Sequence, residues 1–297
     1  MNELTAWHAI RRRPGASAGV ALLGTFVLVA ILAPLLEPYG LDSQVGPVFG
    51  HPSSAHPLGL DDAGVDVVSL LIGGDRISLL VGVSAMLVST LVGGAVGVLS
   101  GYLGGATDLI LMRVTDYFLV VPYLPLMIVI AALWGPSLLH IVLVIGLLQW
   151  TYTARLVRAQ VKSLRERVYV QRVRSLGASR TRVVVRHILP QLGPLLIAAS
   201  VLSISYAVFS ETALSFLGLG DPTQVSWGSI IGHAFQHSAI SSGAWWAVVP
   251  AGLCVALLVT GCYLAGRSVE EALNPRLQGA HLSVRRFGIR SRRGESG

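Results

Sequence analysis

Residues 77–100 read ISLLVGVSAMLVSTLVGGAVGVLS, 24 consecutive positions without an ionisable side chain. About 20 mostly apolar residues cross a hydrocarbon core as a helix, and a run this long is not needed to line a soluble core. Working outward from it, five further windows of the same kind lie at 17–36, 108–133, 138–158, 191–213 and 244–266. Hydrophobic residues make up 53% of the 297 and charged residues 12%, too few charges to cover a soluble globule of this length. The expected fold is all-α and integral to the membrane, with six transmembrane helices.

The basic residues orient it. Ten of the 22 Lys and Arg residues lie between Arg155 and Arg186, three at Arg11, Arg12 and Arg13, and seven from Arg267 to Arg293. Basic residues near span ends stay cytoplasmic, so both termini and the 161–190 loop are expected inside. Residues 37–75, with Asp42, Asp61, Asp62 and Asp66, are expected outside, and Arg76 is the one basic residue on that side. The division that follows is a cytoplasmic tail over 1–16, a first helix over 17–36, an extracytoplasmic loop over 37–75, a membrane core over 76–270 that includes the 161–190 loop, and a basic cytoplasmic tail over 271–297. Net charge of +7 follows from this sorting and calls for no nucleic-acid partner. Arg11-Arg12-Arg13 before an apolar run also fits a cleaved signal, but the run is long for one and no small-residue cleavage site follows, so it reads as a retained anchor.

Several chemistries are excluded or weakened. Lys162 is the single lysine and no Gly-rich stretch precedes it, so the chain has no phosphate-binding loop of the Walker type. Ion-coupled carriers need ionisable groups deep in the membrane. Here Asp108, Arg113, Asp116 and Glu211 sit toward predicted span ends. Gly15-Ala16-Ser17-Ala18-Gly19 matches G-x-S-x-G but opens an apolar helix instead of a strand-to-helix elbow. His233 and His237 have a metal-like spacing without a third ligand type, and no metal site is expected. Cys254 and Cys262 are eight apart on one helix and read as packing residues. No catalytic residue is assigned.

Within the spans, Gly93, Gly97, Gly101 and Gly105 recur every four residues, a stripe that admits another helix backbone, either inside the subunit or between subunits. Arg113 and Asp116, three apart, are expected to pair on one helix face, and Pro122 and Pro125 to kink the third span. Between the fourth and fifth spans, residues 164–176 read as a short helix stopped by Gly177, and Ser179 as the cap of a second helix ending near Leu189, ahead of Pro190. This makes a basic two-helix knob. A loop lying on anionic lipid headgroups is the alternative reading of its charge.

At Gln171-Arg172-Val173, Gly177-Ala178-Ser179 and His187-Ile188-Leu189-Pro190 the chain resembles the inner-membrane permeases of ATP-binding-cassette importers, whose coupling loop follows the EAA pattern. The resemblance extends over most of residues 56–277. His56-Pro57-Leu58-Gly59, Arg76-Ile77-Ser78-Leu79-Leu80-Val81-Gly82, Ala154-Arg155-Leu156-Val157-Arg158, Leu164-Arg165-Glu166-Arg167, Leu214-Ser215-Phe216-Leu217-Gly218-Leu219-Gly220, Ser226-Trp227-Gly228 and Asn274-Pro275-Arg276-Leu277 are similar to the dipeptide and oligopeptide subfamily, on the side of its second subunit. One departure is that Gln171-Arg172-Val173 stands where the family has Glu-Ala-Ala, replacing a carboxylate by an amide and a small side chain by a cation.

The resemblance implies a homologous second permease, two cytoplasmic ATPase subunits that bind the ATP and Mg, and an extracytoplasmic substrate-binding protein. This chain would bind no cofactor itself. It implies contact with the ATPases through Gln171, Arg172, Val173, Gly177, Ala178, Ser179, His187 and Pro190. Docking of the binding protein, or an outer gate, would involve His56, Asp61, Asp62, Asp66, Asp221 and Trp227. The implied cargo is di- or oligopeptide, with nickel or a metal–opine chelate as the alternative within the family. A secondary carrier or channel, and a membrane hydrolase, are the alternatives outside it.

Overall fold

The computed structural model describes residues 14–273. Ten helices are used below: α1 (Pro14–Leu36), α2 (Val67–Leu103), α3 (Gly105–Val120), α4 (Tyr123–Trp134), α5 (Leu138–Arg165), α6 (Val168–Ser175), α7 (Arg180–Val183), α8 (Leu189–Phe216), α9 (Trp227–Gln236) and α10 (Val249–Leu273). The described residues contain no named strand, only an isolated bridge between Leu60 and Asp66. Five helical stretches are long and apolar enough to cross a membrane, and α3 with α4, bent by 89°, makes a sixth when counted as one broken span. The fold is that of a multi-pass α-helical membrane protein.

α2 is 37 residues long, about 55 Å at 1.5 Å per residue, well beyond a hydrocarbon core of about 30 Å. Its first turns occupy residues 67–75, within the segment expected to be an extracytoplasmic loop. Asp66 explains why the helix starts there, because its carboxylate accepts from Ser69 N at 2.9 Å and Ser69 Oγ at 3.0 Å. α5 likewise runs seven residues past the expected end at 158, carrying Lys162 and Arg165 out on its last turns.

α2 and α5 run in parallel and approach closely. A Cβ at Gly93 would lie 2.5 Å from Trp150 O, one at Gly97 2.6 Å from Ala154 O, and one at Gly101 2.9 Å from Arg158 O. The stripe therefore seats α5 inside the subunit. Gly105 is not part of it, since it adopts φ +54° at the start of α3 with nothing within 4 Å of a Cβ.

The third span is broken, not merely kinked. Val121 is extended and Pro122 precedes α4, because proline offers no backbone donor and disfavours helical geometry in the residue before it. The expected Arg113–Asp116 pair is absent among the described residues. Asp116 instead reaches across to Arg155 on α5, 2.6 Å away, since a three-residue spacing permits a pair but a better-placed cation on a neighbouring helix takes it.

The apolar core is divided by level. Val81, Ala85, Met127, Ile141, Ile145 and Leu214 join α2, α4, α5 and α8. A second cluster, with Leu79, Val208, Trp227, Leu258 and Cys262, joins α1, α2, α8, α9 and α10. The third, with Tyr102, Val157, Val161, Leu164, Val170, Val183, Ile188 and Leu192, lies under the basic loop and fixes it to the ends of the spans. Both cysteines are free thiols. Arg11 to Arg13 and the tail from 274 onward, including Asn274-Pro275-Arg276-Leu277, fall outside the described residues.

Candidate functional site: the loop between α5 and α8

α5 ends at Arg165, and after Glu166 and Arg167 the chain restarts as α6, so the first loop helix covers 168–175 and not 164–176. It stops in a Schellman arrangement. Gly177 has φ +83°, Gly177 N donates to Arg174 O at 3.0 Å, and Ala178 N donates to Val173 O at 3.3 Å. Such a φ is costly for any residue with a Cβ, which is why glycine occupies the corner. Ser179 then caps α7, its hydroxyl accepting from Arg182 N.

The expected second helix does not end at Leu189. From α7 the chain enters a π-helical turn, Val184–Ile188, in which Leu189 N donates five residues back to Val184 O, and continues without interruption into α8. Pro190 supplies the cause, because it lacks a backbone N–H and its ring crowds the carbonyl four residues earlier, which a wider turn relieves. The second arm of the knob is thus one body with a membrane span.

The surface of this corner is mixed. Val173 and Ala178 pack inward on the cluster around Val170 and Val183, while Gln171, Arg172, Arg174, Arg180 and Arg182 are exposed. Leu176 at the tip is 87% exposed. Its side chain makes little contact within this subunit and is free to meet another protein. Its place just before Gly177 is the signal in the sequence that marks this tip. Gln171 Nε2 donates to Glu166 O at 3.3 Å, so the amide that replaces the usual carboxylate bonds within the loop. His187 is half-buried beside Tyr169, with ring centroids 6.5 Å apart.

At the opposite end of the spans the residues expected to dock a protein divide. Trp227 is fully buried. Its indole N–H donates to Leu71 O at 3.0 Å, its backbone N donates to Ser78 Oγ, and Phe26 stands edge-on to the ring. Trp227 is a packing residue and offers no docking surface. Asp66 is also buried, occupied as the α2 cap and by His56 Nδ1 at 3.0 Å. Asp221 accepts from Leu138 N and from the amide and hydroxyl of Thr223, which starts α5 and tightens its own loop. The bond from the Thr223 hydroxyl, with the backbone bonds, holds its carboxyl below the usual range.

Asp61 accepts from Ala63 N and Val65 N inside the loop, and burial raises its carboxyl above the usual value against those bonds. Asp62 pairs with His237 at 2.9 Å, tying the 37–66 segment to the end of α9. These six side chains hold the shape of that surface. No group of three His, Cys, Asp or Glu residues suited to a metal occurs among the described residues.

Three features escaped the sequence reading. Glu211 is buried in α8, accepting from Ser78 Oγ at 3.3 Å and Ser215 Oγ at 2.7 Å, and so joins α2 and α8 just beneath Trp227. Gly228 and Gly232 let α9 lie against the backbone of α8, where a Cβ would meet Thr212 O at 2.7 Å and Phe216 O at 2.9 Å. Asp108 gathers Arg158, Lys162 and Ser100. Replacing Trp227 by Ala should cost about 3–5 kcal/mol, the range for emptying a large aromatic site. The check is thermal unfolding of the detergent-solubilised protein, and an unchanged midpoint would contradict this packing role.

A bundle of apolar spans carrying an exposed basic corner between α5 and α8, with no phosphate-binding loop in its sequence, defines a multi-pass membrane component without an ATP site of the Walker type. The chain belongs to the family of binding-protein-dependent transport system inner membrane components, whose profile matches residues 93–279. Residues 5–49 also match the N-terminal TM domain of oligopeptide transport permease C. Among curated relatives, the dipeptide transport system permease protein DppC of Bacillus subtilis is 33% identical over 275 residues, 92% of this chain and 85% of the relative. The oligopeptide transport system permease protein OppC of Mycobacterium bovis is 34% identical over 285 residues, 95% of both chains. The di/tripeptide transport system permease protein DppC of Pseudomonas aeruginosa is 33% identical over 282 residues, 92% of both chains. Such a component is a pore subunit, not an enzyme on its own, and works in a complex with ATPase and binding-protein partners.

Proposed function

We propose that the chain is the second permease subunit of an ATP-driven importer for di- or oligopeptides in a bacterial inner membrane. The observation that carries the mechanism is the continuity of the second arm of the Gly177 corner, through the π-helical turn, with α8, while on the other side only Glu166 and Arg167 separate α6 from α5. Two cytoplasmic ATPase subunits, which bind the ATP and Mg, grip Leu176 and the surrounding arginines. Their closure on ATP displaces the corner, and α5 and α8 move with it as levers. A second, homologous permease faces this one, and the path opens between them alternately to each side. An extracytoplasmic binding protein delivers the peptide on the surface formed by residues 37–66 and 217–244. The names of the relatives support the peptide cargo, and nickel or a metal–opine chelate is the competing cargo.

Both termini and Gly177 are cytoplasmic in this reading, and His56 is outside, following the sorting of basic residues. Labelling of single cysteines in a Cys254→Ala, Cys262→Ala background tests the topology, and labelling at position 177 from outside intact cells would reverse it. The chain expressed alone should show no ATP turnover. Turnover stimulated by the binding protein should appear when the partner permease and ATPases are co-expressed, together with peptide uptake into proteoliposomes. Robust hydrolysis by the isolated chain, or uptake of nickel but not peptide, would reject the reading.

A further inference from the structure

We infer that Asp108 is the positioning residue through which movement of the Gly177 corner reaches the broken third span, an inference that rests on the importer reading above. α3 is held weakly by apolar contact, since Thr115 is its one buried residue. It is joined to α2 through Gly104 and Gly105, two consecutive glycines with φ +68° and +54°, and a Cβ at Gly105 would meet nothing within 4 Å. Two such glycines can absorb a change of angle between α2 and α3, and one turn beyond them stands Asp108.

Asp108 ties α3 to the lever that leads into the loop. Arg158 on α5 donates to both of its oxygens, Nε at 2.5 Å and Nη2 at 2.8 Å, and Lys162 Nζ donates at 2.7 Å. Ser100 Oγ of α2 donates as well. Arg165, one turn further along α5, donates to Tyr102 O beside these glycines at 3.3 Å. Arg158, Lys162 and Arg165 thus lie along one face of the last turns of α5, which α6 and the corner follow after Glu166 and Arg167. The Asp108 side chain is 14% exposed and its partners Arg158 and Lys162 are 31% and 38% exposed, whereas the second ion pair between these helices, Asp116 with Arg155, is about half exposed on both sides. A bidentate, shielded contact transmits force with little slack, and a solvated single bond does not.

Displacement of α5 therefore swings α3 about Gly104 and Gly105. At its far end the swing moves the 89° bend at Val121 and Pro122, and α4 with it. Asp108 touches no cargo in this scheme. It sets where α3 stands for each position of the corner.

The test uses the full complex, with both permeases, ATPases and binding protein in proteoliposomes, measuring peptide uptake and ATP hydrolysis side by side. The parent complex must first show ATP-driven uptake, and its failure to do so rejects the importer reading and not the role of Asp108. Asp108→Asn should assemble and hydrolyse ATP, but its uptake per ATP should fall about tenfold, within the coupling a single residue of a packed network can carry. Asp108→Glu should recover most of it. Asp116→Asn should change the ratio by less than about twofold, as for an exposed pair. Lys162→Met, which leaves the bidentate Arg158 contact in place, provides a milder variant should Asp108→Asn fail to assemble, and its ratio should also fall. Equal loss of uptake and hydrolysis, an unchanged ratio, or loss of assembly in both variants would show Asp108 to be structural only and overturn the inference.

Discussion

Gly97→Leu is expected to prevent the subunit from folding. A Cβ at this position already lies 2.6 Å from Ala154 O and 2.7 Å from Val157 Cβ, and the first of these atoms is backbone that cannot rotate away. Leucine adds three further carbons, so α2 and α5 must separate along the whole seam that Gly93 and Gly101 also build. Overpacking a tight core by a methylene or two costs about 1–3 kcal/mol, and an obstruction between two helix backbones exceeds that range. The expected result is loss of the monodisperse peak in size-exclusion chromatography of the solubilised protein. Gly94→Ala is the matched control, since nothing lies within 4 Å of a Cβ there. A normal yield and melting midpoint for Gly97→Leu would contradict the seam.

Gly177→Trp should abolish transport while sparing the fold. The corner is exposed and a Cβ meets nothing within 4 Å, so the damage inside the subunit is the left-handed φ of +83°, worth about 1–2 kcal/mol for a residue with a Cβ. The larger effect is expected outside, where in the proposed contact an indole next to Leu176 would obstruct docking of the ATPase. Uptake should drop to background and co-purification of the ATPases should fall, with membrane insertion unchanged. Gln171→Glu is the complementary variant. It loses the bond to Glu166 O, roughly 0.5–1.5 kcal/mol, but it restores the carboxylate usual at this place. ATPase yield that holds or rises means the groove is the ordinary one, and a fall means the groove has changed with Gln171. Full transport by Gly177→Trp would reduce the loop to a surface feature.

The number of spans and the glycine corner were legible because both are written locally, as unbroken apolar runs and as Gly177 followed by Ser179. Features that depend on partners distant in sequence were not. Trp227 and Asp66 read as exposed recognition residues because their neighbours, Leu71 and Ser78 for one and His56 for the other, are invisible to a local pattern. Asp116 found Arg155, 39 positions away, instead of Arg113. The π-helical turn before Pro190 was hidden because a proline signals a boundary without saying whether the helix ends or widens. Asp75 is a sharper case. It stands at the edge of the expected loop, yet it is buried inside α2 and neither of its carboxylate oxygens has a hydrogen-bond partner among the described residues. No periodicity in the flanking residues announces that.

The central claim is that the corner at Leu176 and Gly177 is the surface the ATPases grip. Its most direct measurement is site-specific cross-linking in the assembled complex, with Leu176→Cys in a Cys254→Ala, Cys262→Ala background against a single cysteine in the ATPase. Position 176 should form a disulfide-linked species with the ATPase whose yield changes on adding ATP, whereas Trp134→Cys, at the opposite end of the spans, should form none. An active complex in which position 176 never cross-links to the ATPase, at any cysteine position scanned across its groove, would contradict the account.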